Sequence, residues 1–228
     1  MPIIPTIIKE RYDGKASMDL FSMLLDERII IIHGEITFDL ATIVTSELLY
    51  LSAKDEKNPI TIYINSPGGS VHAGLAIYDM IRKIKNKVIT IGYGLCASMG
   101  AFLLASGDKR YALENTEIMI HQPLGGSEGQ VSDMEITIKR LIYLKEKLNK
   151  ILAYHTKKDL HQITIDTDRD HFLSAPEAKE YGLIDEIIYS SKDWIPLNKN
   201  SKVIPNPFEI FDNTSKVGFL LPFSMSQI

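Results

Sequence analysis

The 228-residue chain carries 25 Lys and Arg against 29 Asp and Glu, for a formal net charge of −4, and 45% of its residues are hydrophobic. That length and balance describe one ordinary globular domain able to build a core. A slightly acidic chain with no clustered Lys/Arg face has no electrostatic footprint for nucleic acid. A single cysteine, Cys96, excludes an internal disulfide and suits a reducing compartment. The opening run Met1-Pro-Ile-Ile-Pro5 has neither the charged nor the long apolar region of a secretory signal. A cytoplasmic location is therefore expected, with an organellar matrix or stroma as the alternative.

In chain order, residues 17–25 predict a short helix. Ile29-Ile-Ile-Ile32 is a continuous β-branched run of the kind buried on both faces of a parallel sheet. Leu40, Ile43, Val44, Leu48 and Leu51 recur at helical spacing. Ile60-Thr-Ile-Tyr-Ile64 predicts a second strand, ended by Asn65-Ser-Pro-Gly-Gly69. A helix follows, with Val71, Leu75, Tyr78, Ile81 and Ile84 on one stripe. Residues 88–107 carry no charge over twenty residues, long enough to span a membrane. Thr90, Gly92, Gly94, Ser98, Gly100 and Ser106 interrupt that run. It reads better as a buried strand at 88–91, a small-residue turn, and a buried helix at 99–106 stopped by Gly107; no membrane association is expected.

Residues 117–121 predict a fourth strand, stopped by Pro123. Leu124-Gly-Gly-Ser-Glu-Gly129 is a break, and a long helix is expected over 131–154, with Ser132 and Glu135 as a capping box. Its broad apolar face and glycine-rich hinge suggest either an arm that packs on another chain or a helix packed on its own domain. Ser174-Ala-Pro-Glu177 is a second capping box, opening a short helix closed by Gly182, and 183–189 predict the last strand. From Ser190 on, four prolines interrupt any pattern, yet Trp194, Phe208, Phe211, Phe219 and Phe223 argue against a purely solvated linker. The tail is expected to dock on a surface. Strands alternating with helices predict an α/β fold with a mostly parallel sheet. The strand C-termini then line one edge, where such sheets bind ligands. Ser98, Gly68-Gly69 and His121 all fall just past strand C-termini.

A serine hydroxyl needs a base to take its proton, and a third group to orient that base. Ser98 at the start of a helix is the candidate nucleophile and His121 the candidate base; Asp170 or Asp168 could orient it. Met99 and Gly68-Gly69 could supply N–H groups to an oxyanion, each donor worth about 3 kcal/mol. Two decoys compete. Cys96, two residues from Ser98, is expected to point into the core, where a thiol is inert. Asp166, Asp168, Asp170 and Glu177 fall at positions 1, 3, 5 and 12 of an EF-hand loop, but His171 stands where that loop needs glycine and Pro176 precedes the last ligand. No metal or other cofactor is expected. The chain also lacks G-x-x-x-x-G-K-[ST], so ATP binding by the chain itself is not expected.

Tyr63-Ile-Asn-Ser-Pro-Gly-Gly69, Ala97-Ser-Met-Gly-Ala-Phe-Leu-Leu104, Met119-Ile-His-Gln-Pro-Leu-Gly-Gly126, Asp168-Arg-Asp-His-Phe-Leu-Ser-Ala-Pro-Glu-Ala178 and Tyr181-Gly-Leu-Ile-Asp185 occur in this order. Together they resemble the Clp protease family over roughly residues 3–190. The resemblance implies a crotonase-like fold of repeated ββα units within a peptidase domain at 1–190: a head at about 20–124 and 156–190, and a projecting handle at about 125–155. It leaves 191–228 as a C-terminal extension of unknown role. It implies a serine endopeptidase of a self-compartmentalised protease, with Ser98, His121 and Asp170 as the triad and Gly69 and Met99 as oxyanion donors. Gly125, Gly126 and Ser127 match a cleft strand that pairs with an extended substrate, and Arg169 matches a contact between rings. Tyr63, Ile91, Tyr93, Tyr111 and Leu113 match an apolar pocket where an AAA+ unfoldase docks. The implied partners are that Clp ATPase, unfolded polypeptides, and further copies in two stacked heptameric rings, a homotetradecamer. Thr61 departs from the family, standing where that pocket carries a larger apolar group. Two alternatives follow: a catalytically silent ring subunit of a hetero-oligomer, and a crotonase-like acyl-CoA enzyme, which the Ser98/His121 pair fits poorly.

Overall fold

The computed structural model describes residues 5–11 and 14–189. The aromatic tail and its expected docking lie outside the described residues. Sixteen elements follow one another there: β1 (Thr6–Arg11), β2 (Gly14–Asp19), α1 (Leu20–Asp26), β3 (Ile29–His33), α2 (Phe38–Lys54), β4 (Ile60–Ser66), α3 (Val71–Lys83), β5 (Val88–Ala97), α4 (Met99–Ala105), β6 (Lys109–Leu113), β7 (Glu117–Ile120), α5 (Val131–Thr156), α6 (Leu160–Asp166), β8 (His171–Ser174), α7 (Ala175–Tyr181) and β9 (Glu186–Ile188). β1 and β2 form an antiparallel hairpin. The main sheet runs β3-β4-β5-β6-β9, all parallel, with β7 on β5 and β8 antiparallel to β7. This is the α/β fold with a mostly parallel sheet that the alternating pattern predicts.

The isoleucine runs become central strands because both their faces are covered: Ile30, Ile32, Ile60, Ile62 and Ile64 are fully or almost fully buried. On the helices, Val44, Leu48 and Leu51 of α2 and Ala73, Ile77 and Ile81 of α3 supply the layer above them. The uncharged stretch is β5 followed by α4, and every residue of α4 is buried. Among the described residues no helix is long and apolar enough to cross a membrane.

Several expected elements differ. The helix predicted at 17–25 starts only at Leu20, because Ser17, Met18 and Asp19 pair with β1 and Asp19 caps the helix by accepting from the Ser22 N–H at 3.0 Å. The third strand does not turn after Ile91 but runs on to Ala97: Ile89 to Gly92 pair with β6, and Leu95 to Ala97 pair with β7. The expected fourth strand is therefore the fifth of this sheet in chain order, since β6 precedes it. β8 and α6 were also unpredicted. Ser132 and Glu135 form no capping box, because the helix already starts at Val131 and its cap is Gln130. The second box forms: Glu177 Oε2 accepts from the Ser174 N–H at 2.8 Å, and Gly182 closes α7 with φ +91°. The last strand is shorter than 183–189, spanning Glu186–Ile188. The long helix extends two residues past the predicted end, to Thr156, and residues 121–130 before it form no strand.

One buried cation holds the edge of the sheet. Arg28, at φ +65°, donates to the carbonyls of Leu51, Asp55, Asn58 and Pro59 at 3.0–3.2 Å. It thereby closes the end of α2 and the loop into β4. Arg28→Met is expected to cost about 3 kcal/mol in urea denaturation, because buried acceptors lose a charged donor. A loss below about 1 kcal/mol would mean that Asn86, which donates to two of the same carbonyls, holds the loop by itself.

Candidate active site

β4, β5 and β7 end side by side, and residues just past their ends, Gly68-Gly69, Ser98 and His121, supply the site. β5 runs into α4 through Ser98, whose N–H donates to Met119 O on β7 at 2.8 Å. The backbone at Ser98 stands at φ +55°, ψ −121°. Such a conformation costs a non-glycine residue on the order of 1–3 kcal/mol and persists only where its surroundings impose it. It turns the Ser98 hydroxyl out of the strand direction toward the sheet edge, at the first turn of a buried helix.

The turn after β4 presses against this serine. A Cβ on Gly68 would lie 2.6 Å from Ser98 Cβ and 3.1 Å from Ser98 Oγ, so only glycine fits, and its φ is +101°. At Gly69, φ is +151° and a Cβ would meet Ile36 O at 2.4 Å. The flanking bonds to Ile36 use Gly68 O and the Ser70 N–H, which leaves the Gly69 N–H directed away from Ile36. Met99, the first residue of α4, has an N–H with no acceptor inside the helix. The two N–H groups assigned to the oxyanion by resemblance thus belong to the turn against Ser98 and to the residue next to it.

His121 and Asp170 come together through strand register. β7 and β8 pair Ile120 with His171, and the next step along the antiparallel register sets His121 opposite Asp170. His121 Nδ1 lies 3.0 Å from Asp170 Oδ1, and His121 Nε2 lies 2.9 Å from Ser98 Oγ. A carboxylate oxygen can only accept, so Nδ1 carries the proton and Nε2 of the neutral ring accepts from the serine hydroxyl. The imidazole is largely buried, whereas the Asp170 side chain is 60% exposed. Beside them Val71, Met99, Phe102, Ile120, Leu148 and Leu152 line an apolar pocket that also touches Asn149. Leu148 and Leu152 read in the sequence only as an apolar helix face; nothing in the pattern places them at Ser98, since that depends on how α5 folds back.

The remaining candidates lie apart from this line. Gly125, Gly126 and Ser127 are exposed, with Gly125 close against Leu141 of α5 and Gly126 open on the Cβ side. Unlike the cleft strand they match, they have no ladder partner in the single chain. Arg169 is 90% exposed. Tyr63, Ile91 and Tyr111 stand in one row across β4, β5 and β6, and the Tyr93 ring meets Tyr63 edge-on at 6.3 Å. Leu113, two residues past Tyr111, extends the row on the same face. Thr61 is buried in the next row, between Ile29 and Ile89.

Cys96 is fully buried; burial pushes its thiol up to about 12, and it donates to Ile64 O. The acidic residues each have a separate task. Asp166 accepts from the Tyr181 hydroxyl, Asp168 from Lys145, Asp170 faces His121, and Glu177 caps α7. Asp185 binds Arg110. Burial alone would raise its carboxyl, but the bonds and charge of Arg110 outweigh this and hold it below the usual carboxylate range.

A mostly parallel α/β sheet with these polar groups past its strand ends has the architecture of a Clp-type peptidase. A family model described as Clp protease matches residues 12–191, most of the chain, and the chain belongs to the Clp protease family.

Proposed function

We propose that this chain is the serine endopeptidase subunit of an ATP-dependent Clp protease, hydrolysing unfolded polypeptides to short peptides while a separate AAA+ unfoldase uses the ATP. The observation that carries this reading is the line Ser98 Oγ, His121 Nε2, His121 Nδ1, Asp170 Oδ1, joined at 2.9 and 3.0 Å on a serine held at φ +55°. Ser98 Oγ attacks the carbonyl carbon of the scissile amide while its proton passes to His121 Nε2. Asp170 stabilises the resulting imidazolium. The oxyanion receives the N–H groups of Gly69 and Met99. Collapse breaks the C–N bond, and His121 gives its proton to the departing amine. Water, deprotonated by His121, then cleaves the Ser98 ester and returns the hydroxyl.

Assembly belongs to the same proposal. Val131, Ile136, Ile138, Ile142 and Tyr143 of α5 are exposed in the single chain, while its buried residues begin only at Leu144. That unpartnered apolar half supports stacking of two heptameric rings through the handles, with Arg169 at the ring contact. The half-buried side chains of Tyr63, Tyr93, Tyr111 and Leu113, beside the buried Ile91, support docking of the unfoldase. Exposed segment 125–127 has free backbone for β-addition by substrate.

Fluorophosphonate labelling of the full-length protein, read by intact mass, tests the reading. One adduct per chain, absent from a Ser98→Ala control, is expected. Assembled protein that takes no adduct would overturn it in favour of a silent ring subunit.

A further inference from the structure

The Asp170 side chain is mostly exposed, and the hydrogen bond described for it is the one to His121. Its position depends on the main chain around it, which the β7–β8 ladder holds at His171 on the C-terminal side and residues 167–169 hold on the N-terminal side. That segment is anchored on one side. Thr167 is buried; its hydroxyl lies 2.8 Å from Ile163 O and 3.2 Å from Asn149 Oδ1, and its N–H donates to Ile163 O. The Asp168 N–H also donates to Ile165 O at 3.1 Å, and on the side facing His121 the main-chain carbonyls of the segment are held by Gln122. The Gln122 N–H donates to Thr167 O at 2.6 Å, and the Gln122 side-chain Nε2 donates to Asp168 O at 2.7 Å. Asp168 Oδ1 lies 3.5 Å from the same Nε2 and 3.2 Å from Lys145 Nζ.

Gln122 is thus the chain neighbour of His121 and also the tether of the segment that carries Asp170. The β7–β8 ladder ends at Ile120 and His171, so beyond it no regular ladder keeps the two backbones in register. From the juxtaposition of Gln122 with Thr167 and Asp168 we infer that the Gln122 side-chain amide is a positioning group, setting where the Asp170 carboxylate stands against His121 Nδ1. It touches neither substrate nor reacting atoms; it acts through Asp170. A displaced carboxylate orients the imidazole less well, and small misplacements of catalytic groups cost large factors in rate. The inference rests on the triad reading above.

The test is the rate of fluorophosphonate labelling of Ser98 in full-length protein, measured for Gln122→Leu in two backgrounds, together with kcat and KM on a peptide substrate. In the otherwise unchanged protein, Gln122→Leu is expected to slow labelling and lower kcat about tenfold, with KM within about twofold and an unchanged thermal midpoint. In an Asp170→Ala background the same change should slow labelling by less than about twofold, because the group it positions is gone. Equal slowing in both backgrounds would assign Gln122 a general structural role and overturn the inference. So would full-rate labelling by Gln122→Leu in the unchanged background. Should Gln122→Leu fail to fold, Gln122→Glu keeps the shape and the backbone donor but sets an acceptor against Asp168 O, and the same two-background comparison decides. Failure of the unsubstituted protein to label at Ser98 is a different result: it removes the triad reading itself.

Discussion

Ser98→Ala is expected to lower peptide hydrolysis by roughly 10⁴- to 10⁶-fold, the scale on which serine peptidases lose activity without their nucleophile. Substrate affinity and ring assembly should persist, because the pocket walls and the α5 face are untouched. The backbone adds a second arm to this experiment. Ser98 is held at φ +55°, ψ −121°, a conformation that glycine accepts without strain. Ser98→Gly should therefore be equally inactive yet keep or raise its thermal midpoint, since relief of about 1–3 kcal/mol of strain opposes glycine's larger unfolded-state entropy. Retention of wild-type hydrolysis by either variant would remove Ser98 from the mechanism. A clear loss of stability in Ser98→Gly would show that the side chain, and not only the backbone, holds the turn.

Gly68→Ala carries the second largest effect. The new methyl would sit 2.6 Å from Ser98 Cβ and 3.0 Å from Ala97 O, at φ +101°. Neither neighbour is the free end of a flexible side chain, so the strand end, the turn or Ser98 itself must move. A shift of even part of an ångström separates Ser98 Oγ from His121 Nε2 and displaces the Gly69 N–H. A fall in kcat of about 10²- to 10³-fold is expected, with about 2 kcal/mol lost in urea denaturation from backbone strain. Normal kcat with lowered stability would mean that the turn relaxes away from the site and does not set the position of the nucleophile.

Much of this geometry was legible before any coordinates. The isoleucine runs predict buried parallel strands because apolar continuity on both faces has few other uses, and the uncharged run through Ser98 reads as strand plus helix because its glycines and serines break a membrane span. Ser174 and Glu177 announce a helix start because a capping box is local chemistry. The same local rule fails at Ser132 and Glu135, where the helix begins one residue earlier at Val131. β6 has no legible strand pattern because Lys109 and Arg110 interrupt it. Gly92 and Gly94 read as a turn after Ile91, yet they lie within one strand that pairs first with β6 and then with β7.

By itself the sequence determined the alternation of strands and helices, the buried identity of the central segments, and the polar residues that fall past strand ends. Those are local properties: periodicity, capping and side-chain chemistry act over a few residues. Residue chemistry left Asp168 and Asp170 both open and the resemblance singled out Asp170; only the tertiary structure sets its carboxylate 3.0 Å from His121 Nδ1, holds Ser98 at positive φ, and joins Gln122 to Thr167 and Asp168. Each depends on hydrogen bonds between segments far apart in the chain, whose register is set by packing of the whole sheet and cannot be read from either segment alone.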